Sequence, residues 1–256
     1  MEGPLALSDR AWWAQEQFGE ADLGDTRRTR RLVKVASQMA HHSSGSIPQQ
    51  TGGGADMKAA YRLFTADEVT HQAVCTPHWQ RTRAVATGLP RTYIVSDFCV
   101  LSYTSHVKTQ GLGPILDPEQ LGLHQLNMLA VNPETQRPIG LVHQHLYRRV
   151  LRPDDETRET RRKRDLAERE SYWWIEGIQA VGRAPSGCQW VHVMDRGGDV
   201  FEVYAETQKI QTSFIIRAAQ DRLIERTAEG HTHLFDYARS RPMLATRKVT
   251  VRKKNE

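Results

Sequence analysis

Two aspartates each close a run with the β-branched, apolar character of a strand. Asp97 ends Thr92-Tyr93-Ile94-Val95-Ser96-Asp97, and Asp195 ends Trp190-Val191-His192-Val193-Met194-Asp195. Carboxylates at the ends of two neighbouring strands can meet at one edge of a sheet. Hard oxygen ligands placed that way suit a divalent cation, which in turn binds phosphate oxygens. In a two-ion site for phosphoryl transfer one carboxylate is shared. Asp97, on the first strand, is the expected shared ligand, and Asp195 is expected to hold one ion from the adjacent strand. Either acid could instead cap a strand end or pair with an arginine, and it is the order of surrounding elements that favours the metal reading. Such a cage needs a third acid. Asp199, in Asp195-Arg196-Gly197-Gly198-Asp199, is placed to start a helix. Glu225 and Glu229 stand in the charged, turn-like run Arg222 to Gly230 and are alternatives for a compact site.

A second group of residues points to a polyanion. Arg27, Arg28, Arg30, Arg31 and Lys34 fall within two helical turns, and little acid stands four residues away to neutralise them. The net charge of +5 agrees in sign with a nucleic-acid partner. Other chemistries find less support. The three cysteines, Cys75, Cys99 and Cys188, form neither a disulfide framework nor a CxxC zinc pair, which fits a reducing compartment and a cytoplasmic protein. His143 and His145 share a strand face but have no companion zinc motif. Gly52-Gly53-Gly54 lacks the Lys-Ser/Thr of a phosphate loop. No secretory signal pattern and no apolar stretch of membrane-spanning length is present, so no membrane partner is expected.

The elements that must position these residues follow from periodicity. Residues 1–88 read as helical, with helices over Ala11 to Phe18, Asp25 to His41, Met57 to Phe64 and Thr70 to Ala86. Asp25 is the expected N-cap of the second, whose apolar stripe is Leu32, Val35, Ala36, Met39 and Ala40. Ser43 to Ala55 reads as a loop. Gly88-Leu89-Pro90 marks a domain boundary, with the second domain at 89–256. From there the pattern predicts strands at Thr92 to Phe98, Leu126 to Val131 and Ile139 to Tyr147, the last with Leu141, His143 and His145 on one face. Gly111 to Pro114 is an expected turn, and Arg152 to Glu170 a polar surface run. A helix (Glu170 to Val181), a strand (Trp190 to Asp195), a helix (Asp199 to Lys209) and a strand (Ser213 to Ala218) complete the order. Leu234 to Ser240 reads as helical and Arg247 to Arg252 as strand-like. Three strands with short links imply an antiparallel meander, and helical crossovers imply parallel neighbours. The expected class is α/β: a helical amino-terminal domain followed by a ribonuclease-H-like mixed sheet. In that fold the first acid sits on strand one and the next at the end of strand four, the places of Asp97 and Asp195.

Several runs carry a resemblance. Asp22-Leu23-Gly24-Asp25-Thr26-Arg27-Arg28-Thr29-Arg30-Arg31-Leu32 and Lys58-Ala59-Ala60-Tyr61-Arg62-Leu63-Phe64 resemble the DNA-binding domain of transposon-five-type transposases. Ser96-Asp97 through Leu101-Ser102-Tyr103-Thr104, with Gly111 to Ile115 and Leu129-Ala130-Val131, resembles that family's first catalytic block. Asp195 to Asp199 with Phe201-Glu202 resembles the second. The group is the insertion-sequence-four type of Asp-Asp-Glu transposases. The resemblance implies cut-and-paste transposition with Mg²⁺ or Mn²⁺, and Asp97 and Asp195 as the first two catalytic acids. It further implies that double-stranded transposon-end DNA is gripped by Arg27, Arg28, Arg30, Arg31, Lys34, Lys58 and Arg62. Arg217 would lie near that DNA on a strand. A bacterial, nucleoid-associated protein and a dimer of the full-length enzyme are also implied. Gly197 stands where the second block usually has glutamate. The final glutamate of the family belongs to a Tyr-x2-Arg-x3-Glu-x6-Lys signature that this chain does not contain. The expectation is therefore a truncated chain that binds ends but lacks the third acid and the carboxy-terminal dimerisation helices. The alternatives are a non-catalytic DNA-binding inhibitor of transposition and a compact nuclease using Glu225 or Glu229.

Overall fold

The computed structural model describes residues 7–106, 108–150, 157, 159, 169–246 and 248. The chain divides into two compact units, Met1–Ile216 and Arg217–Glu256.

The first unit begins with α1 (Leu7–Phe18), α2 (Thr26–His41), α3 (Ile47–Thr51), α4 (Gly54–Phe64) and α5 (His71–Thr87). The start of α2 is fixed by Asp25, whose carboxylate accepts the Arg27 backbone N–H at 2.8 Å, as an N-cap should. Of its expected stripe, Leu32, Val35 and Ala36 are buried, Met39 is half-buried and Ala40 is exposed. Leu32 joins Ala21, Leu23 and Leu63 in a small core, with Phe18, Val69 and Val74 at its rim. The expected loop between α2 and α4 contains the short helix α3, where the Ser46 N–H donates to Gln49 Oε1 at 2.8 Å. Thr70 caps α5 by accepting the Ala73 N–H.

The sheet of the first unit has six strands: β1 (Arg91–Ser102), β2 (Gly113–Pro114), β3 (Leu121–Val131), β4 (Pro138–Tyr147), β5 (Gln189–Met194) and β6 (Ser213–Ile216). Between the last three strands lie α6 (Tyr172–Val181) and α7 (Phe201–Lys209). β3 runs antiparallel to β1 on one side and to β4 and the short β2 on the other. β5 lies parallel to β1, and β6 parallel to β5. β1 runs past Asp97 to Ser102, so that aspartate is inside the strand rather than at its end. Gly113 and Pro114, expected as a turn, pair with β3.

One face of the sheet carries the core. Ile94, Leu126, Met128, Ala130 and Met194 pack with Trp174, Ile175, Ile178 and Val181 of α6, Ala86 of α5 and Val203 of α7. α6 packs closely on the sheet at Gly177, where an added Cβ would stand 2.6 Å from Leu126 Cδ2 and 2.9 Å from Met128 Sδ. β4 carries a bulge at Val142: His143 opposes Met128, yet Leu141 opposes the very next residue, Leu129. The extra residue puts Leu141 on the opposite face from His143, which corrects the expected shared face.

In the second unit Leu223 pairs with His233 in an antiparallel bridge, and the chain turns at Thr227 to Gly230 with a 2.9 Å hydrogen bond. α8 (Leu234–Ser240) follows. The strand expected at Arg247 to Arg252 lies outside the described residues except for Lys248, and most of the polar run from Arg152 to Glu170 lies outside them too. Among the described residues no helix is long and apolar enough to cross a membrane.

Candidate active site and nucleic-acid interface

The register of four strands lines up one polar row. Asp97 of β1 faces Asn127 of β3, and Asn127 faces Gln144 of β4. On the other side the β1–β5 ladder ends with Ser96 paired to Met194, and Asp195 is the first residue after β5. Alternation decides the face. Thr92, Ile94 and Ser96 are buried on the helix side, which leaves Val95, Asp97 and Cys99 on the other. A parallel apolar row crosses the same open face through Leu141, Leu129, Val95, Val193 and Ile215. Val95 is 37 % and Ile215 53 % exposed, so this row is only partly covered.

Both aspartates are exposed and locally tethered. Asp97 Oδ1 accepts the Phe98 N–H at 2.9 Å. Asp195 Oδ1 accepts the Gly197 N–H at 2.8 Å, capping the 3₁₀ turn Arg196–Gly198. An added Cβ at Gly197 would stand 3.0 Å from Trp174 Cζ2 and 3.1 Å from Asp195 Oδ1. The indole thus leaves little room for a larger residue in this turn, a physical reason for the glycine. Asp199 is buried just before α7 and accepts the Tyr204 hydroxyl at 2.6 Å. Glu229, in the second unit, is ion-paired to Arg241 at 3.1 Å, and that guanidinium holds its carboxyl below the usual range. Glu225 is exposed in the same unit.

Among the described residues no cluster of three or more His, Cys, Asp or Glu side chains is suited to a metal ion. The carboxylates of this region are those of Asp97 and Asp195, while the Asn127 amide oxygen is taken by Gln144 Nε2. Carboxylate oxygens are hard donors of the type a divalent cation takes. His143 and His145 stack at 6.2 Å between centroids, and His143 also packs on Trp79 at 5.1 Å. Burial pushes His143 down to about 4, so it is neutral and part of an aromatic layer.

The basic helix differs from expectation in one respect. Acid does neutralise it, but from other elements. Arg31 and Lys34 both pair with Asp56 of α4, at 2.8 and 2.7 Å, and Arg28 pairs with Glu68 at 2.9 Å. Arg27 returns to the cap at Asp25. Lys34 and Arg31 together hold the Asp56 carboxyl below its usual range. Arg30 is exposed and has no ion pair among the described residues. The same is true of Lys58 and Arg62, one turn apart on α4 beside Tyr61, which is 45 % exposed. Arg217 is exposed, but β6 ends at Ile216, so this arginine lies beyond the strand that was expected to carry it.

Two groups were missed by sequence reasoning. Asn127 has no spacing relation to Asp97, and only strand register brings them together. His192 looks like one more residue of an apolar strand, yet it is fully buried with neither ring nitrogen hydrogen-bonded among the described residues.

Residues 10–69 match the family model Transposase DNA-binding. The match runs from α1 to the turn before α5 and contains Arg27 to Lys34, Lys58 and Arg62. The helical amino-terminal part of this chain therefore carries a transposase-type DNA-binding region.

Proposed function

We propose that the chain acts in DNA transposition, gripping transposon-end DNA through the helical region and presenting the end phosphate to Asp97 and Asp195. The observation that supports this reading is the β1–β5 register, which ends at Ser96 and Met194 with Asp97 and Asp195 the next residue of each segment, in the same compact unit as the transposase-type DNA-binding match. The strand order β4, β3, β1, β5, β6, antiparallel in its first half and parallel in its second, supports a ribonuclease-H-like class. The insertion-sequence-four type is the finer reading. Bound Mg²⁺ or Mn²⁺ would activate the attacking oxygen and stabilise the leaving one. The protein's own part is positional. Asp97 and Asp195 would hold the cation, while Arg30, Lys58 and Arg62 would engage DNA phosphates.

A second reading, a DNA-binding protein that occupies ends without cutting, is favoured by the pair of carboxylates standing without a third acid among the described residues. Incubating a supercoiled plasmid that carries candidate ends with the protein in Mg²⁺ separates the two. Nicking that vanishes in Asp97→Ala and Asp195→Ala establishes the catalytic site. Loss of that nicking in Glu225→Ala or Glu229→Ala would identify the third acid. Tight DNA binding with no nicking by folded protein assigns the binding role alone. No DNA binding at low salt removes both.

A further inference from the structure

A hydrogen-bond chain runs along the polar row to the start of α5. His71 Nε2 and Gln144 Oε1 are 2.8 Å apart, and Gln144 Nε2 donates to Asn127 Oδ1 at 2.6 Å. Asn127 Nδ2 in turn donates to Cys99 Sγ at 3.2 Å. Cys99 stands two residues beyond Asp97 on the same face of β1, so the Asn127 nitrogen is directed toward that strand. An amide nitrogen has two hydrogens. The weak sulfur acceptor takes one, and the other has no protein acceptor among the described residues; Asn127 is the cross-strand partner of Asp97.

We propose that Asn127 is a phosphate-contacting residue of the Asp97 and Asp195 site, and that Gln144 and His71 are positioning residues that fix which end of its amide faces the DNA. This rests on the reading that the two aspartates engage a divalent cation and DNA. The physical need is clear. Two carboxylates repel an approaching phosphate, and a bound cation offsets this only in part. A neutral N–H donor aimed at a non-bridging oxygen adds attraction without competing for the cation, as preorganised donors do at oxyanion sites. The chain fixes the donor's polarity. With Gln144 Nε2 on Asn127 Oδ1, the Asn127 oxygen is engaged on the β4 side and its nitrogen is presented to β1. His71 is the first residue of α5, two positions beyond the segment that matches the DNA-binding family. The orientation of Asn127 is thereby tied to the junction between the DNA-binding helices and the sheet.

The test measures how much Ca²⁺ tightens binding of a labelled duplex over binding in EDTA, by fluorescence anisotropy on the full chain. Tb³⁺ luminescence reports cation binding separately. The expected result is that Asn127→Ala loses roughly tenfold of the Ca²⁺-dependent gain, with affinity in EDTA and Tb³⁺ binding unchanged. Gln144→Glu, nearly isosteric but unable to donate to Asn127, should lose the same gain with its thermal midpoint preserved. A merely structural role would weaken binding equally in Ca²⁺ and EDTA, and that result overturns the proposal. So does a wild-type Ca²⁺ gain in Asn127→Ala. If wild-type protein shows neither a Ca²⁺ gain nor Tb³⁺ binding that depends on Asp97, the underlying site reading fails and takes this assignment with it.

Discussion

His192 shows how a single side chain can set the acid sensitivity of a fold. Its ring is buried in the helix-covered face of β5, and burial pushes its pKa down to about 4. The folded state therefore keeps the ring neutral where the unfolded chain takes up a proton. Unfolded protein binds more protons below about pH 6.5, so this stability is lost as pH falls from there toward 4, at up to roughly 1.4 kcal/mol per pH unit. His143, shifted the same way, adds to the slope. Replacing His192 with Leu should flatten the dependence of the urea midpoint on pH between 7 and 5, and a wild-type slope in that variant would refute the assignment. At this scale the sequence is legible only where side-chain type speaks for itself. Asp97 and Asp195 stand out as acids closing apolar runs. His192 and Asn127 do not, because their roles come from burial and from pairing with residues far away in the chain.

The helices of the DNA-binding region are tied together by ion pairs between elements. Asp56 on α4 occupies both Arg31 and Lys34 of α2, so these cations are shared before any DNA arrives. Exposed ion pairs of this kind contribute about 0–1 kcal/mol. Asp56→Ala should thus leave the thermal midpoint almost unchanged while tightening binding to duplex DNA, as read by anisotropy at low salt. Conversely, Arg30→Ala and Arg62→Ala should each weaken binding across sequences and lower the slope of log affinity against log salt by about 1. A slope unchanged in both would remove these side chains from the interface. Packing inside the elements offers another check. Gly177→Ala drives a methyl into Leu126 and Met128, and overpacking of this kind costs about 1–3 kcal/mol in a denaturation curve despite alanine's better helix propensity. The cap of α2 and the first part of its stripe, Leu32, Val35 and Ala36, were readable from spacing alone, while Ala40 at the end of that stripe is exposed. The neutralising acids were not, since Asp56 and Glu68 lie on later segments that only tertiary packing brings to α2. The bulge at Val142 was hidden for a related reason: alternation in β4 looks regular until its register against β3 is known.

At the scale of the whole molecule, the order of strands and helices was legible because each run is short, apolar and punctuated by turn residues. The small β2, the extension of β1 past Asp97 and the hairpin-like start of the second unit were not, since they depend on pairing rather than on local pattern. The topology also sets a sequence of events during synthesis. β1 can pair with β3 and β4 soon after it leaves the ribosome, yet its other edge waits for β5, with Arg91 and its hydrogen-bonding partner Gln189 separated by 98 positions. Non-local parallel pairing of this kind forms late. A ribosome-bound chain stopped soon after Tyr147 should already protect the meander from protease while leaving the Asp97 side of β1 unpaired. Only when β5 emerges can the β1–β5 ladder form up to Ser96 and Met194. Nascent protein would therefore complete its DNA-binding region, in the helices made first, well before the parallel half of the sheet exists.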